Sequence, residues 1–145
     1  MVNLYNPFSL DNKTILVTGA SSGIGAATAI ECSKMGANII ITGRNESRLK
    51  ETLSSLEGDG HRYIMAELTK EDDLDRIVDT VNRVDGIVLC AGQGETSPFL
   101  YSTKTKFSTI FDINFFAPVE LLRQFVKKKK IGKDSSVVFV SSIAI

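Results

Sequence analysis

The stretch TILVTGASSGIGAATA, residues 14–29, leaves this chain few folds to choose from. Thr14–Thr18 is a β-branched apolar run, glycines follow at 19, 23 and 25, and an alanine-rich pattern of helical type begins at once. The order strand, glycine turn, helix suits an anion. Glycine lets the backbone turn sharply and approach a phosphate with no Cβ in the way, while the helix N-terminus offers unpaired N–H groups and the positive end of its dipole. Ser21 and Ser22 add hydroxyl donors, so Gly19, Ser21, Ser22, Gly23, Ile24 and Gly25 are the candidates for holding a pyrophosphate. The plainer alternative, a glycine turn that merely connects strand to helix, leaves the serines and the spacing unexplained.

The rest of the chain alternates in the same way. Short apolar runs occur at 14–18, 38–42, 62–67, 86–90 and 136–141. Between them lie longer stretches with helical spacing: GIGAATAIECSKM, ESRLKETLSSLE, KEDDLDRIVDTVNRV and STKTKFSTIFDINFFAPVELLRQFVKKKK. Each is long enough for a right-handed crossover, and the runs are nearly all apolar, as strands covered on both faces should be. The expected fold is α/β, a Rossmann-like doubly wound parallel sheet in one domain over residues 1–145, truncated after the fifth strand. Pro118 falls inside the last helical pattern, where its missing N–H should kink the helix near Asn114.

Composition removes several classes of function. Lysine plus arginine and aspartate plus glutamate number 17 each, so there is no overall field to attract nucleic acid or an anionic membrane. No apolar run reaches spanning length and the N-terminus lacks a signal-peptide pattern, so a cytoplasmic location is the expectation. Cys32 and Cys90 sit in apolar stretches far apart and read as small buried hydrophobes, His61 in GDGHR as a surface residue, and KEDDLD at 70–75 as an acidic first helical turn. KKKK at 127–130 reads as a helix end, where cations favour the dipole. No metal site is expected.

The spacing T-G-x-x-x-G-x-G at 18–25 resembles that of the short-chain dehydrogenase/reductase family, and the resemblance runs along the whole chain. LCAG at 89–92 stands where the family typically has N-N-A-G, Asn114 in FDINFFAPVEL is similar to its helix asparagine, and VSS at 140–142 to its fifth-strand serine. By that resemblance Ala91 and Gly92 keep a close backbone approach to the cofactor ribose, whereas Leu89 and Cys90 lack the amides that tie neighbouring strands. Glu67 stands where the family often has an aspartate for the adenine amine, followed by Leu68.

Cofactor choice is legible at the end of the second strand, where a carboxylate would accept hydrogen bonds from both ribose hydroxyls. Gly43 stands there instead, followed by Arg44 and Asn45. The acid that would repel a 2′-phosphate is absent and a guanidinium able to fork onto one is present, which favours NADP over NAD. Arg44 as a merely solvated loop arginine is the competing reading.

The resemblance implies hydride transfer between nicotinamide and a carbonyl or alcohol carbon of a small-molecule substrate. A tyrosine passes the proton, a lysine four residues later lowers its pKa, a serine holds the substrate oxygen and an asparagine positions a water. Ser142 would be that serine, with Ser141 its structural neighbour, and Asn114 the asparagine. Tyr5, Tyr63 and Tyr101 all lie upstream of the serines and none has lysine at the fourth following position. The Tyr-x-x-x-Lys helix and the substrate region are therefore expected beyond these 145 residues, and the chain alone is expected to be inactive. A non-catalytic dinucleotide-binding or redox-sensing module is the alternative, with a Rossmann-like methyltransferase the weaker third. Self-association is expected, since an uncovered fifth strand and the faces around Phe111, Phe115 and Phe125 would expose more apolar surface than a monomer tolerates.

Overall fold

The computed structural model describes residues 5–94 and 96–142. Its strands are β1 (Thr14–Thr18), β2 (Asn38–Gly43), β3 (Arg62–Met65), β4 (Val84–Leu89) and β5 (Ile131–Phe139). The helices are α1 (Gly23–Lys34), α2 (Glu46–Ser54), α3 (Glu71–Thr80), α4 (Lys104–Phe111) and α5 (Ala117–Lys127). All strand pairs are parallel and the order is β3-β2-β1-β4-β5. The chain starts in the middle of its sheet and winds outward on one side, then on the other. A crevice therefore opens at the C-terminal end of β1, the place where open α/β sheets bind ligands.

Alternate side chains along the strands feed two cores. Ile15, Val17, Ile39 and Ile41 pack beneath α1 and α2 with Ala29 and Leu49. Leu16, Ile40, Ile64 and Ile87 pack on the opposite face with Leu74, Ile77 and Val78 of α3 and Leu121 and Phe125 of α5. Full coverage holds for β1 and β2 and fails at β5. Val138 and Phe139 are half exposed, because β5 is an edge of the sheet and none of the helices among the described residues covers it.

Two strand boundaries differ from the sequence reading for local reasons. β3 stops at Met65 rather than 67 because the Glu67 N–H is taken by the Asp73 carboxylate at 2.7 Å instead of by a strand. β5 begins at Ile131, five residues before the apolar run, with an irregularity opposite Val84–Gly86 where the Ser135 hydroxyl donates to the Val84 carbonyl.

The kink expected from Pro118 is a π segment, Asp112–Phe116, between α4 and α5. Ala117 N–H reaches back five residues to Asp112 O, and Pro118 has no N–H to give the Asn114 carbonyl. The lysine run does more than face a dipole. Lys130 Nζ donates to the Val78 and Val81 carbonyls, closing the C-terminal end of α3, and Lys128 pairs with Asp79 at 2.6 Å. His61 is half-buried rather than a surface residue: its Nδ1 accepts the Ile39 N–H at 3.0 Å, so Nε2 carries the hydrogen and donates to Glu57 O at 2.7 Å. Both cysteines are free and partly buried, and burial pushes both thiols up. Among the described residues no helix is long and apolar enough to cross a membrane and no cluster could hold a metal ion.

Candidate functional site

At the C-terminal edge of the sheet the loops enclose a cleft of about 680 Å³, within the range of small-molecule and cofactor sites. Gly19, Ser21, Ser22, Ile24 and Gly25 line one side, Arg44, Asn45, Glu67 and Leu68 one end, and Ala91 and Gly92 the floor. The candidates spread over four βα loops thus converge, with Gly23 at the turn among them. Asn114 stands behind the floor, and Ser142 follows β5 outside the residues that line the cleft.

The floor and the glycine turn are one close-packed unit. Gly19 has φ +65°, and a Cβ there would stand 2.7 Å from Ala91 Cα. A Cβ on Gly25 would stand 2.4 Å from the Gly19 carbonyl. Either would force backbone apart, so the turn and α1 exist in this position only because both residues lack a side chain. Gly23 differs, since a Cβ there meets nothing within 4 Å.

The start of α1 is shaped to receive an anion. Asn45 caps α2 by accepting the Arg48 N–H, and Thr103 caps α4 by accepting the Lys106 N–H. Ser22 occupies the N-cap of α1 in extended conformation and makes no such bond. The first N–H groups of α1 are thus left without a side-chain cap, facing open space, beside a positive dipole end. These features fit the pyrophosphate of a dinucleotide.

The loss of side-chain amides at Leu89 and Cys90 is offset from two sides. Thr18 Oγ1 accepts the N–H groups of both Cys90 and Ala91 at 3.1 Å. The Asn114 side chain lies along the next peptide unit, accepting the Gln93 N–H at 2.8 Å and donating to the Gln93 carbonyl at 2.9 Å. In this structure the Asn114 side chain therefore fixes the floor.

The other end of the cleft is polar. Arg44 approaches Glu67 at 3.6 Å, and Asn45 is committed to its capping bond. Arg48, in the first turn of α2, joins the lining. Sequence reasoning missed it, although Asn-x-x-Arg after a strand places the arginine one helical turn into a capped helix, beside the residue the cap follows. Also missed was the Asp73–Arg76 pair beneath this end. Asp73 holds the Glu67 N–H and pairs with Arg76 at 2.7 Å, and Arg76 donates to the Met65 carbonyl.

A second cleft of about 560 Å³ lies at the opposite end of the sheet, around Asn12, Glu57 and His61. Both His61 ring nitrogens are occupied there by structural hydrogen bonds, so the chemistry converges on the first cleft.

A parallel sheet with a glycine turn and an open helix start beside its switch point defines a dinucleotide-binding α/β protein. The short chain dehydrogenase family model matches residues 13–145, and the chain belongs to that family of oxidoreductases. The chain is 31% identical over 134 residues to the 3-oxoacyl-[acyl-carrier-protein] reductase FabG of Rickettsia bellii, covering 92% of this chain and 55% of the relative. It is 30% identical over 149 residues to the 3-ketodihydrosphingosine reductase of Mus musculus, covering 95% and 45%. Among solved structures, the bulky-bulky ketone specific alcohol dehydrogenase of Comamonas testosteroni superposes with TM-score 0.77 at 27% identity, over 90% of this chain and 55% of that one. An Escherichia coli CFT073 protein assigned to the short-chain dehydrogenases and complexed with NADPH gives TM-score 0.76 at 26% identity, over 85% and 55%. The chain spans about half the length of these proteins.

The Asp73 carboxyl is held below the ordinary aspartate value of 3.8, first by its hydrogen bond from Arg76 and then by the Glu67 N–H. A carboxylate whose folded value lies below its unfolded one adds stability at neutral pH, and loses that contribution as pH falls through the unfolded and then the folded value. Urea denaturation between about pH 5 and pH 2 is expected to show a flatter loss of stability for Asp73→Asn than for the parent chain. Identical slopes would contradict the role given to this carboxylate.

Proposed function

We propose that this chain is the cofactor-binding part of an NADP-dependent oxidoreductase that moves a hydride between nicotinamide and the carbon of a carbonyl or alcohol. The observation that carries the reading is the open N-terminus of α1 behind the glycine turn, with Arg44 and Arg48 at the end of the same cleft. The absence of a carboxylate at Gly43 favours a 2′-phosphate, and the NADPH complex of the Escherichia coli relative supports it. When bound, the cofactor supplies or accepts the hydride. Gly19, Ser21, Ser22, Gly23, Ile24 and Gly25 hold the pyrophosphate, Arg44 and Asn45 the adenosine ribose end, Glu67 and Leu68 the adenine, and Ala91 and Gly92 the nicotinamide ribose. Ser142 orients the substrate oxygen, and Asn114 acts in the proton relay while its side chain steadies Gln93.

A second copy of the chain is the proposed macromolecular partner. Phe111, Phe115, Phe116 and Val126 are each more than half exposed along the α4–α5 face, beside the open β5 edge. Sedimentation at high concentration is expected to reveal self-association, and a monodisperse monomer would count against it.

Calorimetric titration is expected to give tighter binding of NADP than of NAD by about 1.5–3 kcal/mol, the size of a charge-assisted contact. Arg44→Ala should erase most of the preference. Equal affinities in the parent chain, or an unchanged preference in the variant, would refute the cofactor assignment.

Without a Tyr-x-x-x-Lys pair the 145-residue chain is expected to show no NADPH-dependent carbonyl reduction. In a chain extended through that helix, Ser142→Ala should lower turnover by more than about tenfold with cofactor affinity nearly unchanged, and Ser141→Ala should be milder. Robust turnover by the short chain would overturn the mechanism.

A further inference from the structure

The ribose-phosphate end of the cleft contains a competitor for its own cation. Arg44 Nη1 stands 3.6 Å from Glu67 Oε2, and the two side chains differ in how firmly they are held. Arg44 is 62% exposed on a flexible stem, whereas the Glu67 side chain is 28% exposed. Glu67 is anchored at both ends, its N–H by Asp73 at 2.7 Å and its Oε1 by the Thr69 hydroxyl at 3.1 Å. Arg48 lines the same cleft, and among the described residues no carboxylate pairs with it. An arriving phosphate therefore meets one unpaired guanidinium and a second already leaning on a fixed anion.

We infer that Glu67 is a specificity-determining residue: it occupies Arg44 in place of the 2′-phosphate and thereby lowers the preference of the cleft for NADP over NAD. The inference rests on the assignment of a 2′-phosphorylated dinucleotide to this site. A phosphate monoester carries close to two negative charges near neutral pH, so it must draw Arg44 away from Glu67 or share it with a like charge nearby. NAD leaves the Arg44–Glu67 pair undisturbed. The cost falls on one cofactor only, and it has the size of an exposed ion pair rather than a buried one.

Titration of NADP and NAD into the 145-residue chain and its Glu67→Gln variant reads this directly. Glu67→Gln keeps the shape and removes the charge. It is expected to tighten NADP by about threefold to tenfold and to change NAD by less than about twofold, with the gain shrinking at high salt. In an Arg44→Ala background the same substitution should leave the affinity ratio unmoved, since the contested group is gone. Glu67→Asp, which withdraws the carboxylate by one methylene, should raise the ratio in the same direction by less, and retained NAD binding reports that each variant is folded. If Glu67 served only the adenine, Glu67→Gln would weaken both cofactors equally. An unchanged ratio, or a rise that persists without Arg44, overturns the role of Glu67. A ratio unmoved by Arg44→Ala in the parent background overturns the cofactor assignment itself, and this inference with it.

Discussion

At the end of β1 the backbone of Gly19 lies so near the backbone of Ala91 that no side chain fits between them, and Gly25 sits equally close to the Gly19 carbonyl. This contact joins the first βα unit to the fourth strand across the middle of the sheet. It sets where α1 begins, and hence where its uncapped N–H groups point. A methyl group at either glycine would have to move backbone, not a flexible side chain, so the arrangement admits little compromise. The crevice on either side of the contact follows from the winding of the sheet.

Two polar ties hold the floor of that crevice. Thr18, on β1, accepts two N–H groups from the loop after β4, and Asn114, on the π segment, takes both hydrogen-bonding groups of Gln93. A π segment places residues differently from a regular helix. Here Ile113 and Ala117 are buried while Asn114 faces the loop. Pro118 is the sequence cause, and the two-pronged bond to Gln93 is the structural result. The substitutions at Leu89 and Cys90 are tolerable in this setting because backbone amides at 90 and 91 already have a hydroxyl acceptor.

Much of this was legible in the residues. The strand–glycine–helix order, the near-continuous apolar runs and the loop arginine were each readable because they depend on local chain geometry and on charge. What escaped were bonds between residues that only the fold brings together. Thr18 looked like the last residue of a strand, and nothing near it in sequence says that it serves residues 90 and 91. Asp73 looked like a favourable charge in the first turn of α3, yet its carboxylate reaches back to end β3 at Met65. His61 looked exposed because its neighbours are glycines and charges, while its ring joins the start of β2 to the loop after α2. The exposed apolar face of β5 was anticipated as an edge, and the strand order explains it.

The central claim is that the uncapped start of α1 is where the dinucleotide's pyrophosphate rests. Backbone amide NMR during titration with NADP reads that claim residue by residue. The account predicts the largest shifts at Ile24 and Gly25, with smaller ones at Ala91 and Gly92 and none around His61. Shifts confined to the His61 end of the sheet, or a silent α1 N-terminus at saturation, would contradict it.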